Sequence, residues 1–474
     1  MSIGTLRMDR FMKRKDGQMV CTARHVRWLL SLAFLAAVMP ELAWAQSSAN
    51  PIGQVEYVRG AGLAQLPGQA PRVLGKGLAL AEGDRLTTAE GATAIVALQD
   101  GTRMTVRPNS EMLVQQYRYQ PNASDNSMLL SLVRGGLRTL TGLLTKNAPG
   151  AAKVQTATAT VGIRGTDFDM RLCNADCAAE SAKVQDGGRP NAIQASAKVV
   201  TLEGGLSAID ASGQRRVMVK GGAVYPGDVV ETEPGTRAVL AFRDDSRITL
   251  GSATRFRVDH FVFDANNAKE GRFLVSLLRG SLRALTGLVS KANSRNVLFN
   301  TPTATVGIRG TGLDLDCADN GCSVFSWLGT IEVTPDPQVV QFNATPQLLV
   351  AGQGLFVGAT GVTPLSVTPL NQLPRPDEVS VDNKPLFESN NASENLLGLY
   401  VFVRDGHLEI VSERETLQLG RGEAGYVSQQ GFTDRPGIIP RFIDFDRTPL
   451  PGSRNAALTA VLDELNLRTV NQCR

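Results

Sequence analysis

The strongest constraint on the fold of this chain is that its sequence repeats at a spacing of 144 to 145 residues. Nine consecutive residues, TATVGIRGT at 158–166, return without one change at 303–311. Chance does not produce nine identical residues in register, so two copies of one module are predicted, at residues 53–197 and 198–325. Shorter matches keep the same order: 83–84 with 227–228, 100–103 with 244–247, and 134–142 with 279–287.

The composition and the local pattern predict an all-β fold. Gly accounts for 47 of 474 residues and aromatic residues for only 5%, a balance that favours tight turns over long helices. Short apolar runs such as 94–98 and 237–242 end at Asp-Gly or Asp-Asp turns, as strands in hairpins do. Residues 130–144 also fit a helical stripe, but Gly135 and Gly136 disfavour a helix, so strands are expected there. We expect tandem solenoid-like or sandwich-like β modules.

After residue 325 the chain repeats only pieces of the module. GTIEV at 329–333 and GHLEI at 406–410 echo one another, and between them five prolines at 361–395 block ladder bonding and helix formation. The apolar spacing at 455–467 is typical of a short C-terminal helix. The predicted segments are a truncated third β unit at 326–360, a Pro-rich linker at 361–395, a truncated fourth β unit at 396–434 and a C-terminal tail at 435–474.

The amino terminus reads as a secretion signal. An apolar stretch of twelve residues at 28–39 follows Arg24 and Arg27 and is too short to span a bilayer as a helix. Small residues around Trp44 form an A-x-A pattern, which predicts a signal peptide at 1–45 cut between Ala45 and Gln46. The alternative is an uncut membrane anchor, and the sequence leaves the true start codon open. The predicted location is the periplasm or the exterior of a bacterial cell.

The charge balance predicts no nucleic-acid partner. Seven of the 49 Lys and Arg residues and three of the 45 Asp and Glu residues lie in the first 45 positions, so 42 of each remain in the body of the protein. A neutral body lacks the basic footprint that phosphate backbones require.

In order and twice over, the chain carries the Gly-Asp turn, the Asp-Gly hairpin, the Arg-Gly-x-Leu-Arg strand and the TATVGIRGT motif. With these motifs it resembles the FecR-like family of periplasmic domains, well over residues of about 53–360 and in outline over 399–430. The resemblance implies an all-β, solenoid-like module on the outer side of the inner membrane. In the founding type that module follows a cytoplasmic sigma-binding region and one membrane helix, and it senses a signal from an outer-membrane transporter.

The sequence departs from that plan because only 27 residues precede the apolar stretch, too few for a folded cytosolic domain with its own core. We therefore expect a non-enzymatic binding or scaffold module of the cell envelope without the anti-sigma region. A membrane-anchored sigma-regulator relative is the alternative. A polysaccharide-active enzyme built on a β-solenoid is a second alternative, because a catalytic pair of carboxylates has no short sequence motif by which it could be recognised or excluded.

Four cysteines are placed equivalently in the two copies, as Cys173-x3-Cys177 and Cys317-x4-Cys322. Each pair follows a strand, and in an oxidising compartment we expect one disulfide within each pair, with each bridge closing its own hairpin. A four-thiolate metal site joining both copies is the alternative. Cys473 is left over, and its role stays open.

The repeated motif supplies the candidate binding residues, which are Arg164 and Thr166 in the first copy and Arg309 and Thr311 in the second. Each Arg lies beside Gly, so its guanidinium can form two hydrogen bonds at once, to a carboxylate or to a group of backbone carbonyls. The alternative is an internal ion pair. The acids considered as partners are Asp84 or Asp169 in the first copy and Asp228 or Asp314 in the second.

The sequence contains few histidines and neither of two common catalytic motifs. Only His260 and His407 follow residue 45, and neither G-x-S-x-G nor H-E-x-x-H occurs. We expect no enzymatic activity, no cofactor and no metal. The expected partner is a protein or a glycan of the envelope.

Overall fold

The computed structural model describes residues 50–444 and residue 451, apart from 149, 175, 185–186, 369, 371, 389–392 and 394–395. The predicted signal segment with its cleavage site, and the predicted helix at 455–467, lie outside the described residues. The fold is all-β with short helices, which confirms the predicted fold class. None of the helices in the described part of the chain has the length and apolar character needed to cross a membrane.

The first repeat forms strands β1 to β12 with helix α1, and helix α2 follows it. These elements are β1 Gly53–Arg59, β2 Gly62–Gln65, β3 Arg72–Val73, β4 Ala79–Leu80, β5 Arg85–Thr88, β6 Thr93–Leu98, β7 Arg103–Val106, β8 Glu111–Arg118, β9 Ser127–Leu140, α1 Leu143–Asn147, β10 Ala152–Gln155, β11 Ala159–Ile163, β12 Asp167–Cys173 and α2 Asp176–Ala182.

The second repeat forms β13 to β23, and nine more strands follow. The strands are β13 Ala197–Glu203, β14 Leu206–Ile209, β15 Arg215–Val217, β16 Ala223–Val224, β17 Val229–Thr232, β18 Arg237–Phe242, β19 Arg247–Leu250, β20 Arg255–Val262, β21 Arg272–Leu285, β22 Val297–Asn300, β23 Ala304–Ala318, β24 Gly321–Pro335, β25 Gln347–Val350, β26 Gln353–Gly358, β27 Gly361–Leu365, β28 Gly398–Asp405, β29 His407–Ser412, β30 Thr416–Gly420, β31 Ala424–Ser428 and β32 Thr433–Asp434. The helices are α3 Leu288–Ala292, α4 Lys384–Phe387 and α5 Arg441–Asp444, with 3₁₀ turns at Ala268–Glu270, Ser294–Asn296 and Pro376–Glu378.

The strand predicted at 130–144 is confirmed up to Leu140, whereas Leu143 and Leu144 begin helix α1. Strand β9 shows why residues 130–140 form a strand although their apolar spacing also fits a helix. Its amino-terminal half pairs with β8 and β10, and its carboxyl-terminal half pairs with β7 and β12. At the crossing point Gly135 has φ +76°, and a Cβ there would clash with Ser110. Gly280 has φ +85° at the same place in β21. The glycines that disfavour a helix therefore let one long strand serve two ladders.

The two repeats share one pairing scheme up to their last motif strand. In the first, β1 pairs with β4 and β6, and β9 with β12; in the second, β13 pairs with β16 and β18, and β21 with β23. The repeat seen in the sequence is therefore a repeat of strand order and register.

The two modules differ in how their sheets continue after the TATVGIRGT motif. In the second module β23 turns through Asp319 and Asn320 and pairs with β24 along nearly its whole length. In the first module β11 and β12 pair with β29 and β28, which follow more than 220 residues later. The segment predicted as a fourth unit thus completes the first module, and β24 to β27 complete the second. The second module is inserted between β12 and β28, where the first module would otherwise form a tight hairpin like that between β23 and β24.

The apolar cores support this division. One core contains buried side chains from residues 52–170 together with Leu399, Val401, Ile410 and Leu419, and none of the described residues at 174–397. A separate core is drawn from residues 197–357. Each module therefore has its own core, and the first is built from both ends of the described chain.

The structure contains the two predicted disulfides, Cys173–Cys177 and Cys317–Cys322. Cys317 and Cys322 face each other across the β23–β24 hairpin, as predicted. Cys177 instead lies in α2, so the first bridge joins the end of β12 to the helix through which the chain leaves the first module. Neither of these two bridges joins the two modules.

A buried charge cluster connects the modules. The Lys198 ammonium on β13 lies 3.0 Å from the Glu423 carboxylate and donates to the carbonyls of Gln418 and Leu386. The Arg435 guanidinium lies 3.4 Å from the same carboxylate. Burial lowers the pKa of Lys198 to about 8, with Glu423 opposing the shift and Arg435 adding to it. The buried Glu423 carboxylate thus pairs with two buried cations.

We predict that a chain reduced to the first module will fold alone once β12 and β28 are joined directly. Residues 174–397 are replaced by Asp-Asn, the two residues that join β23 to β24, together with Cys173→Ala. Calorimetry should show a single cooperative unfolding transition. A chain that simply ends after residue 397 should lose the first module's transition and keep that of the second. Retention of the first transition in that truncated chain would contradict the insertion.

We also predict unequal effects within the buried cluster. Glu423→Gln removes the carboxylate that the buried Lys198 and Arg435 share and should lower the free energy of unfolding by about 3 to 5 kcal/mol. Lys198→Met leaves the Glu423–Arg435 pair intact and should lower it by only about 1 to 2 kcal/mol, for the lost carbonyl hydrogen bonds. Denaturant titration measures both, and the reverse order would refute the charge balance.

Candidate functional site

A cleft of about 440 Å³ lies where the two modules meet. One wall comes from the first module: the turn between β11 and β12, and the corner between β28 and β29. The other wall comes from the second module, from the end of β14 through β16. The charged side chains that line the cleft are Arg164, Arg215, Arg216 and Arg421 with Asp167, Asp210 and Asp405.

The turn that carries Arg164 and Thr166 is fixed by a close approach of two glycines. Gly165 has φ +76° and Gly406 has φ +90°, a backbone region that other residues rarely adopt. A Cβ on Gly406 would clash with the Gly165 carbonyl and with Thr166. The Thr166 N–H donates to the Thr141 hydroxyl at 2.7 Å, which holds the turn against the first module.

Arg164 forms an internal ion pair, but with a partner that its sequence neighbourhood does not suggest. Its Nη2 lies 2.8 Å from Glu409 Oε2, and its Nη1 donates to the Lys220 carbonyl of the second module at 3.4 Å. Arg309 makes the equivalent pair with Glu332 at 2.7 Å. The four acids considered as partners pair elsewhere: Asp84 with Arg72, Asp169 with Arg404, Asp228 with Arg216 and Asp314 with Arg283.

A hydrogen-bond relay runs from this ion pair to His407. Gln418 Nε2 donates to Glu409 Oε1 at 2.6 Å, so Gln418 Oε1 is left to accept from His407 Nε2 at 2.8 Å. This order places the imidazole proton on Nε2 and leaves Nδ1 as a bare acceptor. Burial, and then the charges of Lys198 and Arg164, lower the pKa of His407 to about 3. The ring is therefore neutral at physiological pH.

Three buried polar atoms of residues lining the cleft have no hydrogen-bond partner within the described part of the chain. They are Arg164 Nε, Thr166 Oγ1 and His407 Nδ1. Buried polar groups are nearly always paired, so each such atom needs an explanation. Together they offer an N–H donor, a hydroxyl that can donate or accept, and a neutral acceptor.

An aromatic side chain from the second module completes the site. The Arg421 guanidinium lies 4.5 Å from the centre of the Tyr225 ring, and the backbone N–H of Arg421 donates to the Tyr225 hydroxyl at 2.7 Å. Burial raises the pKa of Tyr225, so the phenol stays protonated. The exposed Arg421 side chain is therefore held over a ring at the edge of the cleft.

The structure separates the four residues predicted from the repeated motif. Arg164 and Thr166 line the cleft, whereas Arg309 lies on the surface of the second module, paired with Glu332. Thr311 lies in β23, where its backbone pairs with Gly329. Sequence reasoning missed the cleft residues that lie far along the chain, His407, Arg421 and Tyr225. The echo of GTIEV in GHLEI was the available signal for the first of them.

The GRGEAG sequence at 420–425 forms the turn between β30 and β31 and runs into a strand. A dinucleotide site would need a helix to open there. Within the described ranges, no three His, Cys, Asp or Glu side chains are grouped as metal ligands would be.

Comparisons with known proteins agree with the repeat. The family model described as FecR protein matches residues 84–188 and 228–332. Two crystal structures, at 1.65 and 2.50 Å resolution, of a proposed anti-sigma factor from Parabacteroides distasonis ATCC 8503 are similar at 17% identity and a TM-score of 0.23. Each match covers 29% of this chain and 58% of that chain, and no curated protein matches.

The two matched ranges each cover most of one structural repeat and include the TATVGIRGT motif in both. The chain is therefore a FecR-like protein with two copies of the FecR domain in tandem.

Proposed function

We propose that this FecR-like protein is a non-enzymatic binding or scaffold module of the bacterial envelope, and that its cleft binds a hydroxyl-rich partner, an envelope glycan. The observation that carries the proposal is the set of unpaired polar atoms at Arg164, Thr166 and His407, in a cleft to which both modules contribute.

The chemistry of the cleft favours sugar hydroxyls over a simple anion. A hydroxyl both donates and accepts, so it can satisfy the bare His407 Nδ1 and the Arg164 Nε–H alike. Four arginines and three aspartates line the cleft, and most of the arginines already have a carboxylate partner. A strongly anionic ligand would therefore meet aspartates as well as free cations.

A non-enzymatic role is supported by the state of the one histidine in the cleft. A general base works best with a pKa near the working pH, and the pKa of His407 is lowered to about 3. Its relay through Gln418 ends at a carboxylate already paired with Arg164. The histidine is thus arranged to accept a hydrogen bond and not to take up a proton.

A location outside the cytosol is supported by the two disulfides, which persist in oxidising compartments. The predicted signal segment at 1–45 also favours export, and the resemblance to FecR-type periplasmic domains favours a location in the cell envelope.

The binding proposal predicts different outcomes for one substitution made at two matched positions. Arg164→Lys keeps the charge beside Glu409 but removes the Nε donor, so affinity for envelope glycans should fall about tenfold. Arg309→Lys alters the same sequence motif outside the cleft and should leave affinity unchanged. Calorimetric titration of the purified protein with fractionated envelope and capsular glycans measures both.

Equal affinities for the two variants would overturn the cleft as the binding site. Binding of an envelope protein, with no glycan binding, would refute the glycan and retain a binding function. Glycan turnover that is lost on replacing an acid pair would establish the enzymatic alternative.

The regulatory alternative requires that the apolar segment at 28–39 stay in the mature chain as an anchor. Our proposal predicts that amino-terminal sequencing of protein recovered from the periplasm begins at Gln46. A mature protein that keeps the first 27 residues would favour the sigma-regulator relative.

A further inference from the structure

We propose that this protein binds a second copy of itself head to tail, with a loop of the first module of one copy docked on the open sheet face of the second module of the next. The inference does not depend on the proposed glycan function. It rests on the contact that the modules already make within one chain, whose two halves are each present a second time and exposed to solvent there.

The contact within the chain joins a loop of the second module to the β29–β30 face of the first. The Lys220 carbonyl accepts from Arg164, and Gly221 lies so close to Gln418 that a Cβ would clash. A Cβ on Gly420 would lie 3.0 Å from Ala223. We call residues 216–223 the docking loop and β29–β30 the acceptor face.

The first module presents the same docking loop, already folded. Its residues 72–77 read RVLGKG, against RVMVKG at 216–221. The Gly77 N–H donates to the Val55 carbonyl at 2.8 Å, as the Gly221 N–H donates to the Val199 carbonyl at 2.7 Å. Gly77 and Gly221 have φ +85° and +81°. The copy in the first module is exposed where the other is buried: Lys76, Gly77 and Ala79 are all on the surface.

The second module presents the matching acceptor face on β24 and β25. Strand register places Leu348 where the first module has Gln418, and Val350 where it has Gly420. Gln418 is 5% exposed under the docking loop, whereas Leu348 is 55% exposed and Val350 is 48% exposed. Two large apolar side chains on an unpaired strand edge mark a surface suited to a partner.

The residues at the proposed contact differ from those within the chain in a compensating way. Within the chain Tyr225 lies against Gly420; between chains Ala81 would meet Val350, so the larger residue changes sides.

Both members of the buried Lys198–Glu423 ion pair are also replaced at the proposed contact. Lys198 corresponds to Gln54 and Glu423 to Gln353, two exposed amides that can bond one another. Loss of only one charge would leave an unpaired buried ion. Matched changes on both sides of the contact are expected if the two exposed surfaces also bind one another.

The geometry of this contact does not close on itself. Each chain has one free docking loop and one free acceptor face on different modules, so the interface is heterologous and adds copies in one direction. Linear assemblies are expected, and their length should rise with protein concentration.

The test uses the purified protein in sedimentation velocity, with two variants at exposed positions. Ala79→Arg blocks the docking loop and Val350→Arg blocks the acceptor face; Val133→Arg, at an exposed apolar position elsewhere, is the matched control. Wild type and the control should form growing oligomers at concentrations between about 1 µM and about 1 mM. Each blocking variant should stay monomeric alone, and an equal mixture of the two should give a dimer that goes no further.

A wild type that is monomeric over that range would overturn the proposal. So would oligomers that survive both substitutions, or a mixture that fails to pair. If Val350→Arg does not fold, as judged by its thermal transition, Leu348→Lys on the same face replaces it. Because glycan titration is measured separately on monomeric variants, failure of assembly and failure of glycan binding are distinguishable.

Discussion

The antiparallel pairing of β11 and β12 with β29 and β28 is the interaction on which the rest of the structure depends. It gives hydrogen-bond partners to two strands that would otherwise end the first module's sheets as open edges. It also brings the Arg404 guanidinium to 2.7 Å from Asp169, a fully buried carboxylate 235 residues earlier in the chain. Because the pairing spans so much sequence, closing the first module fixes both ends of the inserted module.

The cleft follows from that closure. Its relay needs Glu409, Gln418 and His407 from late strands and Arg164 from the repeated motif, and its far wall belongs to the inserted module. The second module has the same motif and an equivalent ion pair at Arg309 and Glu332, but the Arg309 side chain is 60% exposed, against 18% for Arg164. One sequence motif therefore has two environments, and the difference comes from which neighbour covers the face.

Local features of the fold could be predicted from the sequence, whereas the long-range closure could not. Strands, the strand at 130–140 and both disulfides follow from alternation, glycine placement and cysteine spacing, which act over a few residues. The partner of Arg164 could not be chosen among nearby acids because Glu409 lies 245 residues away. The echo of GTIEV in GHLEI identified the right segment, but five residues do not tell whether a segment starts a new unit or completes an old one. Pairing and a shared core decide that.

Native-state hydrogen exchange on a chain carrying Leu130→Ala tests the insertion most directly. Leu130 is fully buried in the first module's core, and its truncation should destabilise that module by about 3 kcal/mol. The predicted result is faster exchange in β28, β29 and β31 together with β8 to β12, while β20 to β24 keep their protection. Unchanged protection of β28 to β31, or loss of it only when Val275→Ala weakens the second core, would contradict a first module built from both ends of the chain.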